Sequence, residues 1–558
     1  MKKKSISFLA LLLVLAMILT ACGGAKNDAP AEKGEEKGET QEAAETTEEP
    51  GREDGVLDVC IASEPNSIDP AINSAVDGAV MIHHAFEGLI KWVDDGQGNA
   101  ILAPGQAESW DASEDGLKWT FHLRDGITWT DGKPVTAQDF IFSWNRLVDP
   151  ITAADYSYML DMVKGYDEQK LAISAPDEKT LEVELSAMCP YFEEIMAFPA
   201  TFPVREDIVA KEDWTTTPDS YISNGPYKMT EWNHNQNILM EKRDDYYDAA
   251  TIKAPKINFH LQDDINAMYA SYRSGELDFI ESVPTEETTN LLSTGELKVK
   301  PYIGTYYVSF NNQLEPFNNP KVREAFSLAV DRNFIVEKVT ASGQVPAAGF
   351  VPAGIADATE GSDFRTVGGD YYSVKPEDYE ANCEKARELL KEAGFENGEG
   401  FPVVEFLYNT SESHKAIAEA LQNMWQEQLG VQVTLQNQEW NVFLTERKNG
   451  NYSIARDGWI ADYNDPMSFL DMFLTGGGNN NPQYSNPKFD EIIKKAKVTS
   501  DPAERFKLMH EAEDIAFGED VCAAPLYYYV NTFMMKPNIT GLYYTPLGYF
   551  FYGNTEGF

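Results

Sequence analysis

The run from Ala107 to Phe142, AESWDASEDGLKWTFHLRDGITWTDGKPVTAQDFIF, constrains the fold of this chain more than any other stretch. Trp119, Phe121 and Leu123 alternate with polar neighbours, as do Ile127 and Trp129, and this period of two predicts half-buried strands. Asp115-Gly116, Asp125-Gly126 and Asp131-Gly132 supply the positive φ that tight turns require. Thr136 stands three residues before Asp139, the spacing of a capping box, and a helix starting there would bury Phe140, Trp144 and Leu147. Local physics therefore specifies a meander of short strands followed by a helix.

The N-terminus reads as a targeting signal. Lys2, Lys3 and Lys4 precede an apolar stretch, Phe8 to Leu19, that is too short for a comfortable membrane span. It ends in Leu19-Thr20-Ala21-Cys22-Gly23, which resembles a bacterial lipobox. That resemblance implies a lipoprotein signal peptide over residues 1–21 and a lipid on Cys22, holding the protein on the extracytoplasmic face of the cell membrane. Gly23 to Asp54 contains no aromatic residue and no Ile, Leu, Val or Met. Such a segment buries too little to offset its ordering entropy, so residues 22–54 are expected to form a disordered acidic tether spanning roughly 30 Å or more.

The remaining body, about 500 residues, is too long for one core and implies two or three domains. A net charge of -45 argues against nucleic acid and against attraction to anionic lipid. Besides Cys22 there are Cys60, Cys189, Cys383 and Cys522, far apart and without a C-x-x-C pair. They leave two disulfides or isolated buried thiols equally open and argue against zinc. Helical periodicity marks Lys321–Val339, Asn382–Ala393, Ser413–Leu429, Lys488–Ala496 and Pro502–Phe517. Strands are expected at Phe401–Leu407 and Val431–Leu435, each after a glycine that stops a helix, an order typical of α/β domains. The aromatic C-terminal segment, Tyr527 to Phe558, is too apolar for a tail and should pack back on the body.

Catalytic signatures are missing. His510-Glu511 lacks the second histidine of a zincin helix, and Gly476-Gly477-Gly478 lacks the Lys-Ser/Thr of a phosphate cradle. His83, His84 and Glu87 could ligate a metal, but adjacent histidines do not share a helical face, so packing is the favoured role. Neither an enzymatic activity nor a cofactor is expected.

What stands out instead is the series His414, Trp440, Arg447, Arg456, Trp459, Asp462. Together with the signature run above, the string Arg456-Asp457-Gly458-Trp459-Ile460-Ala461-Asp462-Tyr463-Asn464-Asp465-Pro466 closely resembles the oligopeptide-binding proteins of ATP-binding-cassette importers, within the peptide- and nickel-type extracytoplasmic solute-binding proteins. Leu407-Tyr408-Asn409-Thr410 and Leu526-Tyr527-Tyr528-Tyr529-Val530-Asn531 carry the same resemblance, which extends over essentially the whole body.

The resemblance implies an α/β, periplasmic-binding-protein-like fold of type II in its large three-domain form, with a hinged ligand cleft. Domain I would comprise residues 55–86, 205–303 and 530–558, domain II 87–204 and domain III 304–529. It further implies a receptor that captures oligopeptides and delivers them to ABC permease subunits with their ATPases, acting as a monomer. In this reading Asp462 pairs with the peptide ammonium, and a preorganised carboxylate suits that invariant cation. The alternative for Asp462 is a turn cap, as for Asp465 before Pro466. His414, Arg447 and Arg456 would reach peptide C-termini, for which the planar guanidinium is well shaped. Trp440, Trp459, Gly458, Tyr156, Tyr302, Tyr307 and Tyr529 fall at pocket-lining positions, with core packing the competing role of each aromatic ring. Val76 would lie on a strand pairing with the peptide backbone. Ser74, Glu281 and Thr340 depart from better-known members. Gaining Glu281 and losing the lysine that they carry in place of Thr340 should make the cleft more acidic, which would favour peptides with basic side chains or longer ones. A nickel complex, an oligosaccharide or a signalling peptide is the alternative ligand.

Overall fold

The computed structural model describes residues 55–61 and 63–558. The expected signal peptide, the Cys22 lipidation site and the acidic tether lie outside the described residues.

Two 13-residue strands, Lys298–Phe310 and Ala523–Met535, organise an 11-stranded mixed sheet. They pair antiparallel, and their register shifts between Pro301 and Thr305. On one side of that break the second strand pairs with Phe279–Ile280, which continues into Val56–Cys60, Lys256–His260, Asn237–Lys242 and Tyr227–Asn233. On the other side the first strand pairs with Ile454–Ile460, which lies beside Val404–Asn409, itself paired with Val433–Gln438 at the edge. The last two strands are parallel and joined through the helix Glu412–Leu429, a right-length crossover for an α/β unit. That helix buries Ile417, Leu421, Trp425 and Leu429 and stops at Gly430 with φ 71°, as its periodicity predicts.

The signature run builds a separate four-stranded antiparallel sheet, in the order Ala107–Ala112, Lys118–Leu123, Thr180–Glu184, Ile173–Asp177. The helix Ala137–Val148 follows, and the Asp139 carboxylate accepts hydrogen bonds from the Thr136 backbone N–H at 2.8 Å and hydroxyl at 3.0 Å. Phe140, Trp144 and Leu147 are buried beneath it. The strand expected at Ile127 and Trp129 is absent. Gly126 and Gly132 turn the chain at φ 75° and 82°, leaving room for only one isolated bridge between Thr128 and Pro134. Trp129 is nonetheless fully buried.

The expected helix over Lys321–Val339 is broken into Pro320–Leu328, Arg332–Phe334 and a π-helical turn, Ile335–Thr340. Asp331 restarts it by accepting from the Phe334 backbone N–H at 3.0 Å. A second π-turn, Asp514–Glu519, ends the helix that begins at Pro502. The remaining helices, Tyr379–Glu392 and Pro487–Lys497, lie where the periodicity places them. Tyr549, Phe550, Phe551 and Tyr552 pack into the main core, so the C-terminal segment does fold back.

Cys189, Cys383 and Cys522 are buried thiols with no disulfide between them. His84 is a packing histidine: its Nδ1 lies 2.7 Å from the Val80 carbonyl and its Nε2 accepts from the Tyr552 backbone N–H at 3.1 Å. No cluster of metal-ligating groups occurs among the described residues, and no described helix is long and apolar enough to cross a membrane.

Candidate functional site

A cavity of about 560 Å³ is lined by the start of the helix Val76–Ala85, by Tyr156, Glu281 and Tyr302, and by residues from Asn409 to Asp462. The strand Ile454–Ile460 supplies one wall. Alternation puts Arg456, Gly458 and Ile460 on the same face, and all three line the cavity. Gly458 is required by close approach, because a Cβ there would collide with the Tyr529 hydroxyl.

Asp462 follows this strand and is 5% exposed. Its backbone N–H donates to the Ser468 hydroxyl at 2.8 Å, and its Oδ1 accepts from the Tyr156 hydroxyl at 3.0 Å. Its Oδ2 is buried without a partner. Burial pushes the carboxyl well above the usual range, the Tyr156 bond opposes this, and the Asp471 charge adds to it. Such a group is an anion site waiting for a cation. Asp465, by contrast, accepts from the Met467 N–H and takes both guanidinium nitrogens of Arg505 at 2.7 and 2.8 Å.

Arg456 is 7% exposed and donates through Nε to Asn409 at 2.6 Å. Its guanidinium lies 5.3 Å from the Trp440 ring centre and 4.8 Å from that of Phe443, and no described carboxylate pairs with it. Burial lowers its pKa from the usual value, yet an arginine stays a cation. Arg447 differs, since its Nη1 is bound to Asp457 at 2.6 Å while its Nε is buried and unpartnered. Asp457 also accepts from Ser309 at 2.9 Å and Asn481 at 3.1 Å. Burial, and then the Arg456 charge, hold His414 well below the usual imidazole range, so it is neutral, with the Tyr306 hydroxyl 3.3 Å from its Nδ1.

The cavity wall includes Asp462, Arg447, Arg456, His414, Trp440, Trp459, Gly458, Tyr156, Tyr302 and Val76, but not Tyr307 or Tyr529. Tyr307 stands opposite Asp457 in the ladder, on the reverse face, and packs edge-on against Phe350 at 5.1 Å. Tyr306, one residue earlier, shares the face of Gly458 and reaches His414. Tyr529 packs over Gly458 on the Cβ side of that strand, its ring 5.6 Å from that of Tyr302. Val76 is not on a strand: it opens a helix after an extended Ala75, and the Asn73 side chain bonds both backbone groups of Ala75. Asp77, in the first turn, is a lining residue the sequence reading missed; its only local signal was an acid at a helix N-terminus.

Residues 102–481 match the family model of the bacterial extracellular solute-binding proteins, family 5 Middle. The chain belongs to this family. It is 35% identical to the oligopeptide-binding protein OppA of Bacillus subtilis (strain 168), over 99% of each chain. Among solved structures, Haemophilus influenzae OppA in complex with RPPGFSPFR is 32% identical with a TM-score of 0.84, covering 90% of this chain and 99% of that one. The unliganded open form of the murein tripeptide-binding protein MppA is 33% identical but superposes with a TM-score of 0.58, covering 89% of this chain and 96% of that one. The fold of this family-5 chain is thus the type II periplasmic-binding-protein-like α/β fold expected from the sequence.

Proposed function

We propose that this protein is the oligopeptide receptor of an ABC importer, capturing peptides in the cavity and passing them to the permease subunits and their ATPases. The observation that carries this reading is the presence, in one cavity, of a buried carboxylate with a free oxygen, Asp462, and a buried guanidinium without an acid, Arg456. A zwitterionic peptide satisfies both. Six residues of chain separate them, at most ~20 Å at about 3.3 Å per residue, a span within reach of an extended peptide of up to about six residues. An oligosaccharide has no terminal charge for either group.

In this proposal Tyr156, Trp440, Trp459 and Tyr302 form walls for varied side chains, Arg447 and His414 assist near the carboxylate end, and Val76 borders the peptide backbone. The three-domain division, with its hinge where the long strands change register, belongs to the same reading. The better superposition on a peptide complex than on an unliganded open form supports a closed arrangement here. Anchoring through Cys22 and action as a monomer complete it. No step of this function calls for catalysis.

The test is mass spectrometry of small molecules released on denaturing the purified protein, followed by thermal melts of the refolded protein against a mixed peptide pool. Released peptides, with a stabilisation of about 2.7 kcal/mol at 100-fold excess over Kd, are the expected result. A protein that ignores peptides and is stabilised by sugars or metal complexes would overturn the reading.

A further inference from the structure

The charges around the cavity do not balance for a peptide with neutral side chains. Among the lining groups, Lys448 is paired with Asp155, and Arg447 is held by Asp457 from behind. A peptide's own termini answer Asp462 and Arg456. Asp77 and Glu281 are left over. Both line the cavity, and neither forms an ion pair among the described residues. One oxygen of Asp77 accepts from the Gly78 backbone N–H at 2.8 Å, whereas the Glu281 carboxylate takes part in no described hydrogen bond.

Their position along the cavity follows from their neighbours. At one end Tyr549 feels the charge of Asp462 and adjoins Tyr302, and Tyr302 in turn adjoins Glu281. Glu281 faces Asp77, Tyr302 and Tyr552, and no cation. Asp77 neighbours Trp440, whose buried indole N–H lowers the Asp77 pKa and whose ring carries the Arg456 guanidinium. All four groups line one cavity, and the succession of neighbours from Asp462 to Arg456 runs through the two acids. A cavity that already holds the orphaned carboxylate oxygen of Asp462, a residue 5% exposed, is a built ligand site, and the acid pair sets its selectivity.

We propose that Asp77 and Glu281 form a subsite that selects peptides carrying a lysine or arginine at an internal position. This rests on the peptide-receptor reading above. Two desolvated carboxylates without a counter-ion repel one another, and an ammonium or guanidinium placed between them relieves both the repulsion and the desolvation. Burial raises Asp77 to about 6 and Glu281 to about 7, the latter also through the Asp77 charge. In the free protein Glu281 is accordingly partly protonated near neutral pH, while Asp77 is mostly ionised. A basic side chain favours the ionised forms, so its binding releases protons.

The experiment is isothermal titration of the full protein with tri- and tetra-alanine peptides scanned singly with lysine, norleucine or glutamate. It is done near neutral pH in two buffers of different ionisation heat. Norleucine keeps the aliphatic stem without the charge. We expect internal lysine to bind about tenfold or more tighter than norleucine, the scale of one charge-assisted contact, and to release protons on binding. In Glu281→Gln and Asp77→Asn the lysine-to-norleucine ratio should fall towards one. Equal affinities for lysine and norleucine in the wild-type protein, with no proton release, would overturn the inference while leaving the receptor reading intact. Failure of every peptide in the set to bind would overturn the receptor reading itself.

Discussion

Replacing Asp462 by asparagine separates binding from stability, because the two should move in opposite directions. Asparagine keeps an oxygen for the Tyr156 hydroxyl and leaves the backbone bond to Ser468 untouched. It replaces the unpartnered Oδ2 with an amide that repels an ammonium. Removing one partner of a buried charge pair costs about 2–5 kcal/mol. Here burial disfavours the ionised carboxyl in the free protein, so ionising it consumes part of the attraction. The net loss should therefore lie near ~2–3 kcal/mol, roughly 30- to 150-fold in Kd. The free variant, in contrast, should melt higher than wild type at pH 7. A carboxyl whose folded pKa is raised binds protons more tightly when folded, so wild-type stability falls as pH rises through and above the unfolded value. The stability gap should widen from about pH 4 upward and shrink below it. Titration calorimetry with a neutral tetrapeptide and thermal melts at several pH values read both effects. Binding within threefold of wild type, or a variant less stable than wild type at pH 7, would refute the reasoning.

Arg456→Met should abolish the preference for a free peptide carboxylate over its C-terminal amide, which wild type should favour by about tenfold or more. A wild-type protein that binds acid and amide alike would contradict that assignment. Cys189, Cys383 and Cys522 are buried, and burial raises all three thiols. Mass mapping should find them unalkylated in the native state at neutral pH and fully alkylated after denaturation, with a melting temperature indifferent to reductant.

Much of the fold is legible locally. The capping box at Thr136, the stop at Gly430 and the buried stripe through Trp425 depend on neighbours three to five residues away, and each is found as the pattern predicts. The helix around Lys321–Val339 was misread because Asp331 competes for the backbone and restarts the chain. The strand at Ile127 fails for a related reason: turns at both ends remove the length a ladder needs.

The residues of the site were legible as types, since a string like Arg456–Asp462 carries both an arginine and an acid suited to peptide termini. Their states were not. Periods, caps, family motifs and an arginine six residues from an acid are short-range properties, readable from the residues alone. Packing, by contrast, turns Tyr306 and not Tyr307 to His414, and gives Asp457 to Arg447 while Arg456 has no carboxylate partner among the described residues. It also brought Asp77 and Glu281 to the wall of one cavity. Register, desolvation and charge pairing are set by segments far apart in the chain, and they exist only once those segments have packed together.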